Sequence, residues 1–426
     1  MQPIIVQTTI IISMNKATPA SRANKSMGYS SNKSANFKFL WGKCHYIWGK
    51  DSAFWGIRGV VRYVLGMTVA AVLFSCASAP EYRSTSSKSS SYASSGAQLQ
   101  QVAWSQLPGW QEDDLTQAWP AWQRSCQGFM RRNPSDIDWK PACSASNKVN
   151  ASDPSAIRRY FESTMKVMEI RHQSGPSAGS SNGLITGYYE PYLNGARERG
   201  GAFQTPLHRY PDAWKKKKPA ELPSRAELLA SGQLKGQEIV WVDDPVAAAF
   251  MHIQGSGRIR MKDGTMVRLG FAGTNDHKFQ SFAQWLLDRK EITRANATMQ
   301  GIQSWANKNL SRVQEMLNAN PRYVFFKELP TQGVDVGPIG ALGVPLTAER
   351  SIAIDTKLLP LGAPVYLAST YPLSEKPLRR LMMAQDTGSA IIGAVRADFY
   401  WGTGEQAGEY AGRMKQQGRM WLLLPR

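Results

Sequence analysis

The chain is poor in the residues that reaction chemistry most often uses. Its 426 residues include four cysteines and five histidines. No two of His45, His172, His208, His252 and His277 share metal-ligand spacing, and no Cys-x-x-Cys occurs, which argues against a structural zinc site. No Gly-Lys-Ser/Thr follows a glycine-rich turn, so a Walker phosphate loop is excluded. Ser256, in "QGSGR", lacks the Gly-x-Ser-x-Gly frame of a nucleophile elbow. These absences leave no motif that calls for a cofactor or a metal. There is also no repeat of fixed period.

Charge is lopsided. Lys and Arg number 51 against 32 Asp and Glu, a net of +19. Part of the excess lies before Cys76, where Asp51 is the only acid. The rest is moderately basic without a stripe, and the run Lys215 to Lys218 reads as a solvated loop rather than a phosphate track. Such a surface suits an anionic polymer or a membrane surface, and nucleic acid is not expected as a partner. Length suggests roughly two to three domains, and a 42% hydrophobic content supports sizeable cores.

The apolar run Val64 to Phe74 follows Arg58 and Arg62 and is too short for a comfortable transmembrane helix. It reads as a signal segment. Its end, Leu73-Phe74-Ser75-Cys76, resembles a bacterial lipobox, which makes Cys76 the expected lipidation site. Ala77 after it favours the outer membrane, so the expected location is the periplasmic side of that membrane. An ordinary cleaved signal peptide is the alternative. Met1 to Lys50 has no place in such a signal and is set aside. Residues 77–105 are serine-rich and read as a flexible tether. Cys126 and Cys143, the cysteines of the exported body, can pair in an oxidising periplasm.

The body begins with helical patterns. "DDLTQAWPAWQRSCQGFMRR" has helix-like apolar spacing, and "DPSAIRRYFESTMKVMEI" opens with an Asp cap and a proline. "GLITGYYEPYLNGAR", "EIVWVDD" and "AAAFMHIQGSGRIRMKDGTMVRLGFAGTN" predict strands, the last with a hairpin turn at Asp263-Gly264. "KFQSFAQWLLDRK" and "MQGIQSWANKNLSRVQEML" predict helices. From "RYVFFKEL" to the end, short β segments dominate.

The remaining carriers of chemistry are carboxylates among aromatics and glycines, chiefly Asp386 and Asp398 in "MMAQDTGSAIIGAVRADFYWGTG". Aspartate is rarely fully buried without a partner. Acids beside aromatic and amide side chains suit cleavage of a sugar chain, because one acid must protonate the glycosidic oxygen.

Seven stretches in fixed order, "GLITGYYEP", "AFMHIQGSGRIRMKDG", "VRLGFAGTN", "NPRYVFFKEL", "GPIGALGVPLTAERSIAIDTKLLPLGAPVYL", "MMAQDTGSAIIGAVRADFYWG" and "GRMWLLLP", resemble the membrane-bound lytic murein transglycosylase A family. The resemblance runs from about Gly183 to the end. Its C-terminal part is similar to the 3D module, whose three aspartates map to Asp355, Asp386 and Asp398. Where the family often has Asp-Thr-Gly-Gly-Ala-Ile-Lys-Gly, this chain has Ser389 and Ile392. The resemblance implies a mainly β fold with N-terminal helices (α+β): a double-psi β-barrel, a second, mainly β domain inserted, and a substrate groove between them. The expected division is helices and the first barrel part in 106–195, the insert in 196–328 and the rest of the barrel in 329–426.

It further implies a lyase that cleaves the β-1,4 bond between N-acetylmuramic acid and N-acetylglucosamine and leaves a 1,6-anhydro ring. Asp398 is then the general acid/base and Asp386 its support. For Asp386, a turn-capping role in Asp-Thr-Gly stays open; Asp355 is counted among the substrate-binding residues that the resemblance implies, with a turn role favoured by its own sequence. Tyr188, Gln254 and Ser256 resemble groove residues; strand alternation lets only one of Tyr188 and Tyr189 face the groove. Trp401 is either a sugar platform or core. The implied partners are peptidoglycan glycan strands, the membrane through the lipid anchor, and cell-wall synthases. A muramidase, a non-catalytic peptidoglycan-binding lipoprotein and an aspartic protease using Asp-Thr-Gly are the alternatives.

Overall fold

A computed structural model describes residues 96–330, 333 and 336–426. The signal segment and the lipidation site at Cys76 lie outside the described residues. Fourteen strands are found among the described residues. They are β1 (Ala97–Val102), β2 (Met165–His172), β3 (Gly183–Glu190), β4 (Tyr192–Ala196), β5 (Thr205–His208), β6 (Glu238–Val242) and β7 (Gly257–Met261). After these come β8 (Met266–Thr274), β9 (Val324–Leu329), β10 (Ser351–Ile354), β11 (Pro364–Thr370), β12 (Pro377–Asp386), β13 (Arg396–Thr403) and β14 (Lys415–Pro425).

The strands form two sheets. The larger has the order β1-β2-β14-β11-β12-β10-β13-β3, and β3 also pairs with β14. Six strands therefore close into a ring, with β1 and β2 attached outside it. Closure removes the exposed edges that an open sheet of this size would present. The second sheet has the order β5-β6-β4-β7-β8-β9, and a bridge from Arg209 to Phe326 brings its two ends together.

The sequence-based expectations need five corrections. The stretch read as one helix from Asp153 stops at Thr164, where the Thr164 hydroxyl turns back onto the Tyr160 carbonyl, and Met165–His172 is strand β2. "AAAFMHIQ", read as strand, lies in the helix Pro245–Gln254, started by the Asp244 cap and Pro245. The tether is not featureless to residue 105, because β1 pairs with β2 over Ala97 to Val102. The chain changes sheet at Pro191 rather than after Gly195, because β4 pairs with β6 and β7. The inserted part carries helices such as Phe282–Asp288 and Met299–Lys308 beside its sheet, so it is mixed rather than mainly β. A helix at Glu405–Arg413 also interrupts the β-rich end. Its small residues Ala407, Gly408 and Ala411 let it lie flat on β3, with Tyr189 against Gly408 and Ala411 against Gly187.

The helix Leu115–Arg132 packs behind β12. Its aromatic face meets the helices Trp139–Ser146 and Pro154–Thr164 through Trp122, Phe129, Trp139 and Tyr160. Trp122 Nε1 donates to the Tyr160 hydroxyl at 3.1 Å, which donates on to the Ala142 carbonyl at 2.8 Å, so the buried polar atoms are satisfied. Cys126 and Cys143 form a disulfide that joins the first two helices. Gln385 and Arg350 tie this layer to the barrel. The Gln385 amide donates to the Ala121 carbonyl and the Ser125 hydroxyl, and Arg350 is ion-paired with Asp113 at 2.9 Å.

The disulfide spans 17 residues. Cross-linking a loop of that size restricts the unfolded chain by about 3 kcal/mol. Cys126→Ser is expected to lower the urea midpoint accordingly, and dithiothreitol should lower that of the wild type but leave the variant unmoved.

Candidate active site

Four adjacent strands of the ring place four residues in one row. Thr186 on β3 is register partner of Asp398 on β13, Asp398 of Ala353 on β10, and Ala353 of Asp386 on β12. Partners at one level of a sheet point to the same face. Two strand spacings separate the aspartate backbones, about 10 Å. Ala353 between them carries only a methyl group, and it clusters with Tyr188, Tyr400 and Leu346. Tyr188 and Tyr400, each two residues on, lie on the same face with ring centroids 5.2 Å apart, and Leu346 completes this small cluster.

Both aspartates are wholly buried. Asp386 is held at both oxygens. The Tyr188 hydroxyl donates to Oδ2 at 2.9 Å, and the Ala341 N–H donates to Oδ1 at 2.9 Å. Asp398 is held at one. The Thr186 hydroxyl donates to Oδ1, while Oδ2 has no hydrogen-bond partner among the described residues. Burial pushes the Asp386 carboxyl up to about 7, against the pull of its donors, with the Asp398 charge adding to the rise. Burial likewise pushes Asp398 up to about 6, opposed by Arg396 and Thr186. Desolvation disfavours the charged form, so both groups can carry a proton near neutral pH. The hydrogen bonds distinguish them. The two values do not order the roles, since Asp386 lies above Asp398; in hydrogen bonding, Asp386 accepts at both oxygens and Asp398 at one.

The other predicted residues divide. Tyr188 meets the aspartates, whereas Tyr189 turns away and packs against the helix Glu405–Arg413. Asp355 does not join the row. Its carboxylate accepts from the N–H groups of Lys357 and Gly393 at 3.0 Å each, so it braces two turns. Gln254 closes the helix Pro245–Gln254 and accepts from the Tyr189 N–H at 3.3 Å, while its buried Nε2 has no partner among the described residues. Ser256 follows it, also buried. Trp401 is core: its indole stacks on Tyr410 at 4.7 Å and donates to the Met414 sulfur. Glu328 forms a partly exposed pair with Arg197, and Glu190 a buried one with Arg258. Sequence reasoning passed over Thr186 and Ala353. The signal for Thr186 was present: it stands two residues before Tyr188 on one strand and shares its face.

A cleft of about 690 Å3 opens beside the Asp-Thr-Gly turn, lined by Phe279, Gln284 and Trp285 on one side and Ser389, Ala390 and Ile392 on the other. Aromatic faces and amides together are suited to a sugar chain. Among the described residues, no helix is long and apolar enough to cross a membrane.

Comparisons with known proteins agree with this architecture. The family model of the MltA specific insert domain matches residues 184–327, and that of the 3D domain matches 350–424. The membrane-bound lytic murein transglycosylase A of Escherichia coli is 36% identical over 252 residues, 57% of this chain. That match spans 66% of the relative, a little short of two thirds of its length. A solved structure of the E. coli protein with bound chitohexaose superposes with a TM-score of 0.58 at 27% identity, covering 72% of this chain and 89% of that one. The lytic transglycosylase LtgG of Burkholderia pseudomallei is 47% identical, covering 78% of this chain and 97% of that one with a TM-score of 0.56. MltA of Neisseria gonorrhoeae is 32% identical, covering 77% and 93% with a TM-score of 0.67. With both family models in order, and two solved relatives of 47% and 32% identity covered over 97% and 93% of their chains, the chain belongs to the membrane-bound lytic murein transglycosylase A family.

Proposed function

We propose that this protein is a peptidoglycan lytic transglycosylase that uses Asp398 as its single acid/base. The observation that carries the reading is the asymmetry of the two buried aspartates: Asp386 saturated with donors, Asp398 with one free oxygen. The protonated Asp398 gives its proton to the glycosidic oxygen as the bond from that oxygen to C1 of the muramoyl ring breaks. The resulting carboxylate takes the proton of the muramoyl 6-hydroxyl while O6 bonds to C1. The product is a 1,6-anhydromuramoyl end, the acid is regenerated, and no water is consumed. An internal hydroxyl competes well with water because effective molarities of well-placed groups reach about 10⁵ M or more. One carboxyl group therefore serves both steps, unlike the pair that an inverting hydrolase needs.

Asp386, fixed by Tyr188 and Ala341, supports the reacting centre beside Asp398. Tyr188 supports Asp386, and Gln254 and Ser256, with their buried polar atoms, belong to the glycan groove; Asp355 braces its rim. The closed six-strand ring is read as a double-psi barrel, built from 106–191 and 329–426, with the insert between. The bound chitohexaose of the E. coli relative supports a saccharide groove. Cys76 is the proposed lipid anchor to the periplasmic face of the outer membrane, where the enzyme would take part in wall turnover beside cell-wall synthases.

Incubated with purified sacculi, the wild type is expected to release anhydro-muropeptides, identified by mass spectrometry. Asp398→Asn should lower the rate by roughly a hundred- to ten-thousand-fold. Reducing-end products would mean that water attacks, and full activity of Asp398→Asn would remove it from the acid role.

Stability should carry the mark of the same burial. Both carboxyl groups are raised from an ordinary value of 3.8, to about 7 and about 6. The folded state then binds more protons than the unfolded one between these limits, so the contribution is fully present below about pH 4 and is lost as pH rises through 6 to 7. The double variant Asp386→Asn/Asp398→Asn is expected to match the wild-type Tm near pH 4 and exceed it at pH 8; parallel curves would contradict the burial argument.

A further inference from the structure

The two crossings between the sheets are gripped by the same arginine. The chain leaves the first sheet at Glu190, the last residue of β3, and enters the second at Tyr192. Glu190 is wholly buried, and Arg258, on β7 of the second sheet, is 2% exposed. Arg258 Nε donates to Glu190 Oε2 at 2.7 Å. On the return, Arg258 and Arg268 both donate to the Val336 carbonyl, at 2.8 and 2.9 Å, and Arg268 also donates to that of Gly337 at 2.9 Å.

Both donors of Asp386 trace back to these crossings. Ala341, whose N–H holds Oδ1, lies four residues beyond Gly337. On the other side, the hydroxyl of Thr403, at the end of β13, donates to the same Glu190 oxygen at 3.2 Å. The Gly404 N–H donates to the Glu190 carbonyl at 3.0 Å. The Tyr400 hydroxyl is 3.4 Å from the Thr403 hydroxyl, and the Tyr400 ring packs on Tyr188, which holds Oδ2. Arg258, Glu190, Thr403 and Tyr400 thus form a continuous polar line from the second sheet to the tyrosine pair.

We infer that Glu190 is a positioning residue: seated by Arg258, it sets the tyrosine pair through Thr403 and so fixes the orientation of Asp386 relative to Asp398. Net stability is a weak reason for the pair, because desolvating two charges offsets most of their attraction. Its geometric effect is specific. Glu190 can order the line only while the second sheet holds Arg258 in place, so the arrangement of the aspartates is coupled to the seating of that sheet. This inference rests on the proposed reaction for its kinetic consequence and not for its structural one.

The test uses Thr403→Val, which keeps the shape and removes the hydroxyl, and Thr403→Ser, which restores it, in the whole protein. The Asp386 carboxyl is followed by 13C NMR titration, assigned with Asp386→Asn. The Tyr188 hydrogen bond favours the ionised form, so loosening it should raise the midpoint by about half a pH unit, roughly a threefold change in proton affinity. Thr403→Ser should return it, and Glu190→Gln should shift it in the direction of Thr403→Val. In the sacculus assay, kcat should fall about three- to tenfold in Thr403→Val with KM within about twofold, the sign of a loss felt in the transition state. An unmoved midpoint in Thr403→Val, or an equal shift in Thr403→Ser, would overturn the inference. A wild type that releases no anhydro product would overturn the proposed reaction instead, and the titration would still judge Glu190.

Discussion

The fold depends on a costly arrangement: two carboxyl groups held without solvent on one face of a closed sheet, separated by a single alanine. Desolvated charge is expensive unless it is paired or neutralised. The surrounding elements meet that cost in two ways. Asp386 is given donors from β3 and from the segment that returns from the second sheet. Asp398 is given one donor, and its burial raises the carboxyl toward the neutral form. Had either strand slipped by one residue, its aspartate would turn to the opposite face, because side chains alternate along a strand.

Register is therefore the variable that matters, and much of the molecule pins it. β10 is held between a parallel and an antiparallel neighbour, and β3 closes the ring against β14. Gln385, the residue before Asp386, points the other way and is bonded to the Leu115–Arg132 helix. Its hydrogen bonds fix β12 from behind, so the helical layer reports directly on the position of Asp386. The second sheet acts from the front through Arg258 and Arg268.

Much of this was legible locally. An Asp-Pro start marked one N-terminal helix and apolar spacing another, Asp263-Gly264 marked a hairpin, and Tyr188 and Tyr189 were read as facing opposite ways. The misreadings have local causes. "AAAFMHIQ" is buried nearly all round, so it shows no helical period, and an apolar run of that length also fits a strand; the Asp244-Pro245 start was the better guide. "MKVMEI" follows a helix without a glycine or proline stop, and only its pairing with β1 and β14 makes it a strand. The helix Glu405–Arg413 exists because its small residues fit a flat surface that no local signal describes.

By itself the sequence determined the candidate acids, the residue chemistry around them and the order of motifs that place the chain in its family. Without the family resemblance, residue chemistry alone does not rank Glu190 and Glu328 below Asp355, Asp386 and Asp398. The tertiary structure showed the surroundings of each: Asp355 braces two turns, Glu328 forms a surface pair and Glu190 bonds across the two sheets. The reason is physical. The partners that set each acid's role are remote in the chain, Thr186 lying 212 residues from Asp398 and Tyr188 lying 198 from Asp386. Proximity of that kind comes from the pairing of non-consecutive strands, which local propensity and spacing do not encode.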